Sequence, residues 1–252
     1  MSSDQAEREV QVRLALDRVT DPELDEPVTD LRFVEHLTVD QDGTVSIGFR
    51  LPTYWCAANF AFLMAADMQR EVGALPWVRH VRVILGEHMY AEKINHGLAN
   101  RLSFQATFGN EASAELDELR RTFLVKAFQR RQEALLRQLL KTGLRTAEEL
   151  VSMSLQDLQA IPLQPEDHNL RRRYLGRRGV CAGPMEELAF VDAGGHKLSA
   201  DNLAAYLQAL GRVTINAEFN GALCRGLLAA RFNEDGEPSL YDFAHMPTGK
   251  AA

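Results

Sequence analysis

Two periods of apolar and polar residues, helical and strand-like, alternate along the first part of this chain and mark out its elements. Residues 7–19 carry apolar positions at Val10, Val12, Leu14, Leu16 and Val19, of which Val12, Leu14, Ala15 and Val19 fit one helical face. DPELDEP, residues 21–27, has two prolines and four acids and reads as a loop. Residues 31–39 and 44–51 then read as strands joined by a hairpin turn at DQDG, residues 40–43. Val45, Ile47 and Phe49 alternate with Ser46, Gly48 and Arg50, the period of a half-buried strand. The spacing of Phe60, Leu63, Met64, Met68 and Val72 predicts a helix over 57–73, and Val81, Val83 and Leu85 predict a third strand over 78–85. This order makes a small α+β domain: a three-stranded sheet with helices on one face.

Beyond residue 86 the pattern changes. Residues 86–110 carry no clear period. A long helix is predicted over 113–142, from Leu116, Leu119, Phe123, Val125, Phe128, Leu135, Leu136, Leu139 and Leu140, with Gly143 ending it. Thr146 with Glu149 and Ser154 with Asp157 are capping-box pairs that open two short helices. Pro162 and Pro165 close that block, and residues 169–191 are rich in arginine and glycine. Ser199 caps a helix over 200–210, Gly211 separates it from a further apolar helix over 215–231, and the tail after residue 233 is polar. Two domains are expected: an α+β domain at 7–108 and a mainly α-helical one at 113–252, joined near 108–113.

Composition narrows the class. The 252 residues are 46% hydrophobic and 25% charged, as in ordinary globular proteins. No apolar run approaches bilayer length, and the opening MSSDQAEREV is too polar for a signal peptide, so a cytoplasmic setting without membrane attachment is expected. Three cysteines, widely spaced, make no disulfide framework and read as reduced thiols. The net charge of -7 argues against broad nucleic-acid binding but leaves one basic patch, RRRYLGRR, residues 171–178.

The candidate chemistry centres on LPTYWCAANFAF, residues 51–62. It sets Cys56 between a strand and a helix, where a thiol faces the positive end of a helix dipole and ionises more easily. The competing reading is a small apolar side chain packed under Trp55 and Phe60. If the loop at 21–27 lies beside this turn, Asp21 or Glu23 steers the thiol or shares a metal with it, and Thr53 supports the helix start. Otherwise those acids are a cap and a solvated loop. His88, Glu92 and His96, four apart, would share a helix face able to hold zinc or iron, although solvated positions are commoner. Cys181 lies in a glycine-rich loop, whereas Cys224, on an apolar helix, reads as core; their spacing from Cys56 matches no standard metal signature. Arg171, Arg172, Arg173, Arg177 and Arg178 suit an acidic partner, a phosphate or the chain's own acids. The stretch before them, LLKTGLRTAEELVSMSLQDLQAI, loosely resembles a helix-hairpin-helix element but lacks its glycine-rich hairpin.

Four motifs occur in an order that carries a resemblance. Asp21-Pro22-Glu23, Val28-Thr29-Asp30-Leu31 with Phe33-Val34, residues 51–56, and residues 75–83 resemble the metal–sulfur (iron–sulfur) cluster assembly domain, PaaD-like, over about residues 10–85. Arg32 stands where that pattern has glycine, and Ala57 where it has proline. The resemblance implies that Cys56 handles iron or an iron–sulfur cluster, held transiently, with zinc as another cargo. A cluster normally takes four ligands, so one cysteine needs help from other residues or a second chain, for which a homodimer is one arrangement. The implied function is an assembly or maturation factor, not an enzyme. Its partners would be a client metalloenzyme, such as an iron-dependent oxygenase, or other assembly proteins. The alternatives are a metal-free adaptor working through the arginine patch and, more weakly, a nucleic-acid-binding protein.

Overall fold

The computed structural model describes residues 3–109, 116–183 and 185–232. These fall into two compact units. The first holds the residues up to Leu116 and, from the other end of the chain, those from Asn220 onward; the second spans Asp117–Phe219.

The first unit opens with helix α1, Ser3–Leu16. It buries Val12, Ala15 and Leu16, with Val19 just beyond its end. Leu14 belongs to the opposite face: it and Val10 are exposed, so the predicted apolar face is corrected by about one residue. A compact turn follows, in which the Leu31 N–H donates to the Pro27 carbonyl and the Arg32 N–H to the Thr29 carbonyl. Arg32 has φ +57°, the left-handed conformation that glycine adopts without steric cost. This turn delays the first strand, which starts at Val34 rather than 31.

Strands β1 (Val34–Val39) and β2 (Thr44–Phe49) pair antiparallel, and β2 pairs in parallel with β3 (His80–Leu85), in the order β1-β2-β3. The parallel pair needs a crossover, which helix α2 (Ala58–Gly73) supplies. Val45, Ile47 and Phe49 are buried on β2 and Val83 and Leu85 on β3, facing Ala61, Met64, Ala65, Met68 and Val72 of α2 in one apolar core. Gly43, in the β1–β2 turn, has φ +86°, and a Cβ there would stand 2.6 Å from the Trp77 carbonyl. Helices α3 (Ala91–Ala99) and α4 (Phe104–Phe108) complete this part, placing Ile94, Leu98, Phe104 and Phe108 in the same core.

The second unit is helical. Helix α5 (Leu116–Lys141) buries Phe128, Leu135, Leu136 and Leu139 against the rest of the unit, and Gly143, at φ +66°, follows it. The predicted start of this helix at Ser113 lies outside the described residues. Both predicted capping boxes form, opening α6 (Ala147–Ser152) and α7 (Leu155–Ala160). Helix α8 (His168–Arg178) places Tyr174 in the core, where its hydroxyl donates to Gln132 Oε1 at 2.9 Å. The two helices expected over 200–210 and 215–231 are one, α9 (Leu203–Phe232), which runs through Gly211. The residues of α9 from Asn220 onward belong with the first unit, not with the helical domain expected over 113–252. Leu228, 3% exposed, is part of the N-terminal core. No described helix is long and apolar enough to cross a membrane.

Candidate functional site

Residue Cys56 lies in the turn that leaves β2 and enters α2. Ala57 is the N-cap of α2 and makes no side-chain cap bond, so Cys56 directly precedes the open end of the helix. Its side chain is half-buried, packed against the core on one side. The sulfur lies 3.2 Å from the Thr53 hydroxyl, and Thr53 Oγ1 also accepts the Trp55 N–H at 3.3 Å. Thr53 thus bonds within the turn, to the Trp55 N–H and the Cys56 sulfur.

The turn is held from behind by His88. His88 Nδ1 accepts the Tyr90 N–H at 3.1 Å, so the proton is on Nε2, which donates to the Cys56 carbonyl at 2.7 Å. The ring is 4% exposed. Burial pushes its pKa below the usual value, against the pull of the Cys56 carbonyl and with a smaller push from Arg231. A neutral imidazole with both nitrogens engaged positions the cysteine backbone and has no lone pair for a metal. The expected set of His88, Glu92 and His96 is corrected on the same ground: α3 begins at Ala91, so His88 is not on it. Glu92 and His96 share an exposed face of α3, and His96 Nδ1 lies 3.4 Å from Asn100 Nδ2.

The acidic loop contributes a buried carboxyl. Asp21 is 8% exposed, and its Oδ1 accepts the N–H groups of Glu23 at 2.9 Å and Leu24 at 2.8 Å. Burial outweighs those bonds, and with Glu23 and Glu26 nearby it raises the pKa to about 6. Glu23 itself accepts from Asn220 Nδ2 at 3.0 Å.

That bond belongs to the part of the site that local pattern did not reveal. The last part of α9 packs on the first unit through Asn220, through Arg225, which meets Glu26 at 2.7 Å, and through Arg231. Arg231 donates to the carbonyls of Leu51 at 3.2 Å and Glu87 at 2.8 Å. Cys224 lies in this stretch, half-buried against the N-terminal core. Burial raises its pKa to about 11, with further upward pushes from Asp21, Cys56 and Glu23.

Cys224, read from the sequence as core, is half-buried against the N-terminal core. Cys181 is 3% exposed in the core of the second unit, and burial raises its pKa, so it is a packing residue. Among the described residues, no three His, Cys, Asp or Glu side chains form a ready-made metal site.

The arginine patch is divided. Arg171 Nη1 donates to the carbonyls of Leu158, Gln159 and Ile161, closing the end of α7. Arg178 is buried, and its guanidinium donates to the carbonyls of Cys181, Met185, Leu188 and Ala189. These two brace the second unit. Arg172 and Arg173 are exposed, with Arg172 bonded to Asn169 Oδ1 at 2.8 Å, and Arg177 is half-buried.

Comparison with known proteins bears on the first unit. Residues 9–83 match the model of a family described as iron-sulfur cluster assembly protein. No curated protein matches the chain. Among solved structures, the crystal structure of a domain of unknown function, DUF59, from Bacillus anthracis is similar, with 21% identity and a TM-score of 0.31. The likeness covers 41% of this chain and 91% of that one. The matched residues take in the acidic loop, all but the last two residues of the sheet, the Cys56 turn and the crossover helix, and over that stretch the chain is similar to the iron–sulfur cluster assembly family.

Proposed function

We propose that this protein is an assembly or maturation factor that carries iron or an iron–sulfur cluster on Cys56 and passes it to a client metalloenzyme. The observation that carries this reading is a half-exposed sulfur at a strand-to-helix turn, inside a stretch that is similar to that family. The surrounding residues suit a carrier. His88 and Thr53 fix the turn from both sides, so the sulfur is presented without its backbone shifting. Trp55, 72% exposed, stacks edge-on with exposed Tyr54 beside the thiol, and large exposed aromatic rings are favoured anchors for a protein partner. The resemblance to PaaD-like proteins favours an iron-dependent oxygenase as client.

The test is elemental analysis and absorption spectroscopy of protein purified without oxygen. Iron should accompany the wild type and be lost in Cys56→Ser. Full iron retention in that variant would remove the reading.

A further inference from the structure

Two loops meet at Cys56, and a residue from far along the chain holds their bases. The last rung between β2 and β3 is the Gly86 N–H on the Phe49 carbonyl, at 2.8 Å. Past it, one strand continues through Leu51 into the Cys56 turn and the other through Glu87 and His88 towards α3. Near their tips the loops are stitched together. The Met89 N–H donates to the Tyr54 carbonyl at 3.0 Å, and His88 Nε2 donates to the Cys56 carbonyl at 2.7 Å.

Arg231 closes the bases. From the last turn of α9 its Nη1 donates to the Leu51 carbonyl at 3.2 Å and its Nη2 to the Glu87 carbonyl at 2.8 Å. One guanidinium therefore spans the entries to both loops. Leu51 is 2% exposed, so water would poorly replace a donor lost there. Nη2 also meets the Glu87 carboxylate at 3.0 Å. Alone, that contact would be an ordinary surface pair, because the Glu87 side chain is 72% exposed. The two carbonyl bonds are of another kind. They depend on where the main chain runs, and a planar fork with donors on both arms makes them together.

We propose that Arg231 is a positioning residue of the Cys56 site. It clamps the two loops at their bases, so that the thiol, the Tyr54 and Trp55 rings and the exposed Met89 are presented as one surface. The use of that surface rests on the reading of Cys56 given above; the clamp does not. Without Arg231 the two bonds at the tips would open by local fluctuation, while the sheet and α2 stay folded.

The test compares the full, reduced, metal-free chain with Arg231→Ala, Arg231→Lys and Glu87→Ala. Alkylation of Cys56, Cys181 and Cys224 by iodoacetamide is followed by peptide mass, and hydrogen exchange at the Met89 amide by NMR. In Arg231→Ala, Cys56 alkylation and Met89 exchange should rise about fivefold or more. Cys181, in the other core, and Cys224, flanked by the Asn220 and Arg225 anchors, should keep their wild-type rates. Arg231→Lys keeps the charge without the fork and should behave as Arg231→Ala does. Glu87→Ala removes only the carboxylate and should stay within about twofold of wild type. Equal acceleration at all three cysteines would make Arg231 a residue of general stability and overturn the proposal. Wild-type rates in Arg231→Lys would overturn it too, as would a change in Glu87→Ala as large as that in Arg231→Ala. A measurement on the wild type needs no variant to fold: the Met89 and Arg231 amides should exchange within about threefold of one another. A protected Met89 beside a freely exchanging Arg231 would remove the clamp. None of these readouts uses a metal, so a failed clamp leaves the iron test of Cys56→Ser untouched, and a failed iron test leaves the clamp standing.

Discussion

At the scale of single residues, two buried titratable groups give the site opposite dependences on pH. Asp21 has a folded pKa of about 6 against 3.8 for the free side chain. Between those values the folded state holds a proton that the unfolded state has released. The stabilising effect is therefore present below 3.8 and lost as pH rises through 6, so that at neutral pH the ionised carboxyl costs about 3 kcal/mol. The groups facing it are Glu23, Glu26 and Cys224, none of which offsets that charge. Asp21→Asn keeps an oxygen for the Glu23 and Leu24 N–H groups. It should raise stability at pH 7 by about 1–3 kcal/mol and flatten the profile between pH 4 and 6 in thermal melts. A less stable Asn variant at pH 7 would show that the carboxylate is compensated. His88 works the other way. Its folded pKa lies below 6.5, so its contribution is complete above that value and declines as pH falls below it. His88→Ala should cost about 1–3 kcal/mol at pH 7 by leaving the Cys56 carbonyl and the Tyr90 N–H unpaired, read by chemical denaturation.

At the scale of elements, what was legible depended on how local the signal is. Both capping boxes were readable because each is a bond between residues three apart. Thr146→Ala should accordingly cost about 1 kcal/mol in a urea melt. The period of β2 and of α2 was readable because each buries one face on a continuous core. The continuity of α9 was not. Glycine in a helix interior costs only about 1 kcal/mol, which packing easily exceeds. Gly211 sits close to α5: a Cβ there would lie 3.4 Å from Arg137 Nη2 and from Glu133 Oε1, side chains of a pair bonded at 2.6 Å. Further along α9, Leu228 fills the N-terminal core, and Leu228→Ala should destabilise that unit by about 2–5 kcal/mol. Circular dichroism melts with the Cys56 alkylation rate as a second readout would check this. The rate should rise as the helix loosens.

At the scale of the whole molecule, charge clustered in sequence is not charge available to a partner. Five arginines fall within residues 171–178, yet Arg178 is buried among four carbonyl acceptors. Removing a buried guanidinium strands those acceptors, so Arg178→Ala should lose about 3 kcal/mol or more. Arg172→Ala with Arg173→Ala changes only exposed side chains and should leave the melting temperature within a degree or two. That pair is the proper probe of an acidic partner. If iron binding survives and client activation fails, the second unit docks the client through this face.

Sequence alone determined the α+β unit, with the strand-to-helix turn at Cys56 and the acidic loop, because periodicity, turn residues and short motifs act over a few positions. It left unresolved which apolar face of α1 is inward, what becomes of His88, and which core each of Cys181 and Cys224 packs against. Those depended on where distant segments come to rest. The last part of α9 brings Asn220 and Arg231 to residues some 140 to 200 positions earlier. No local period encodes such a contact; it is decided by which buried surfaces the folded chain has left to cover.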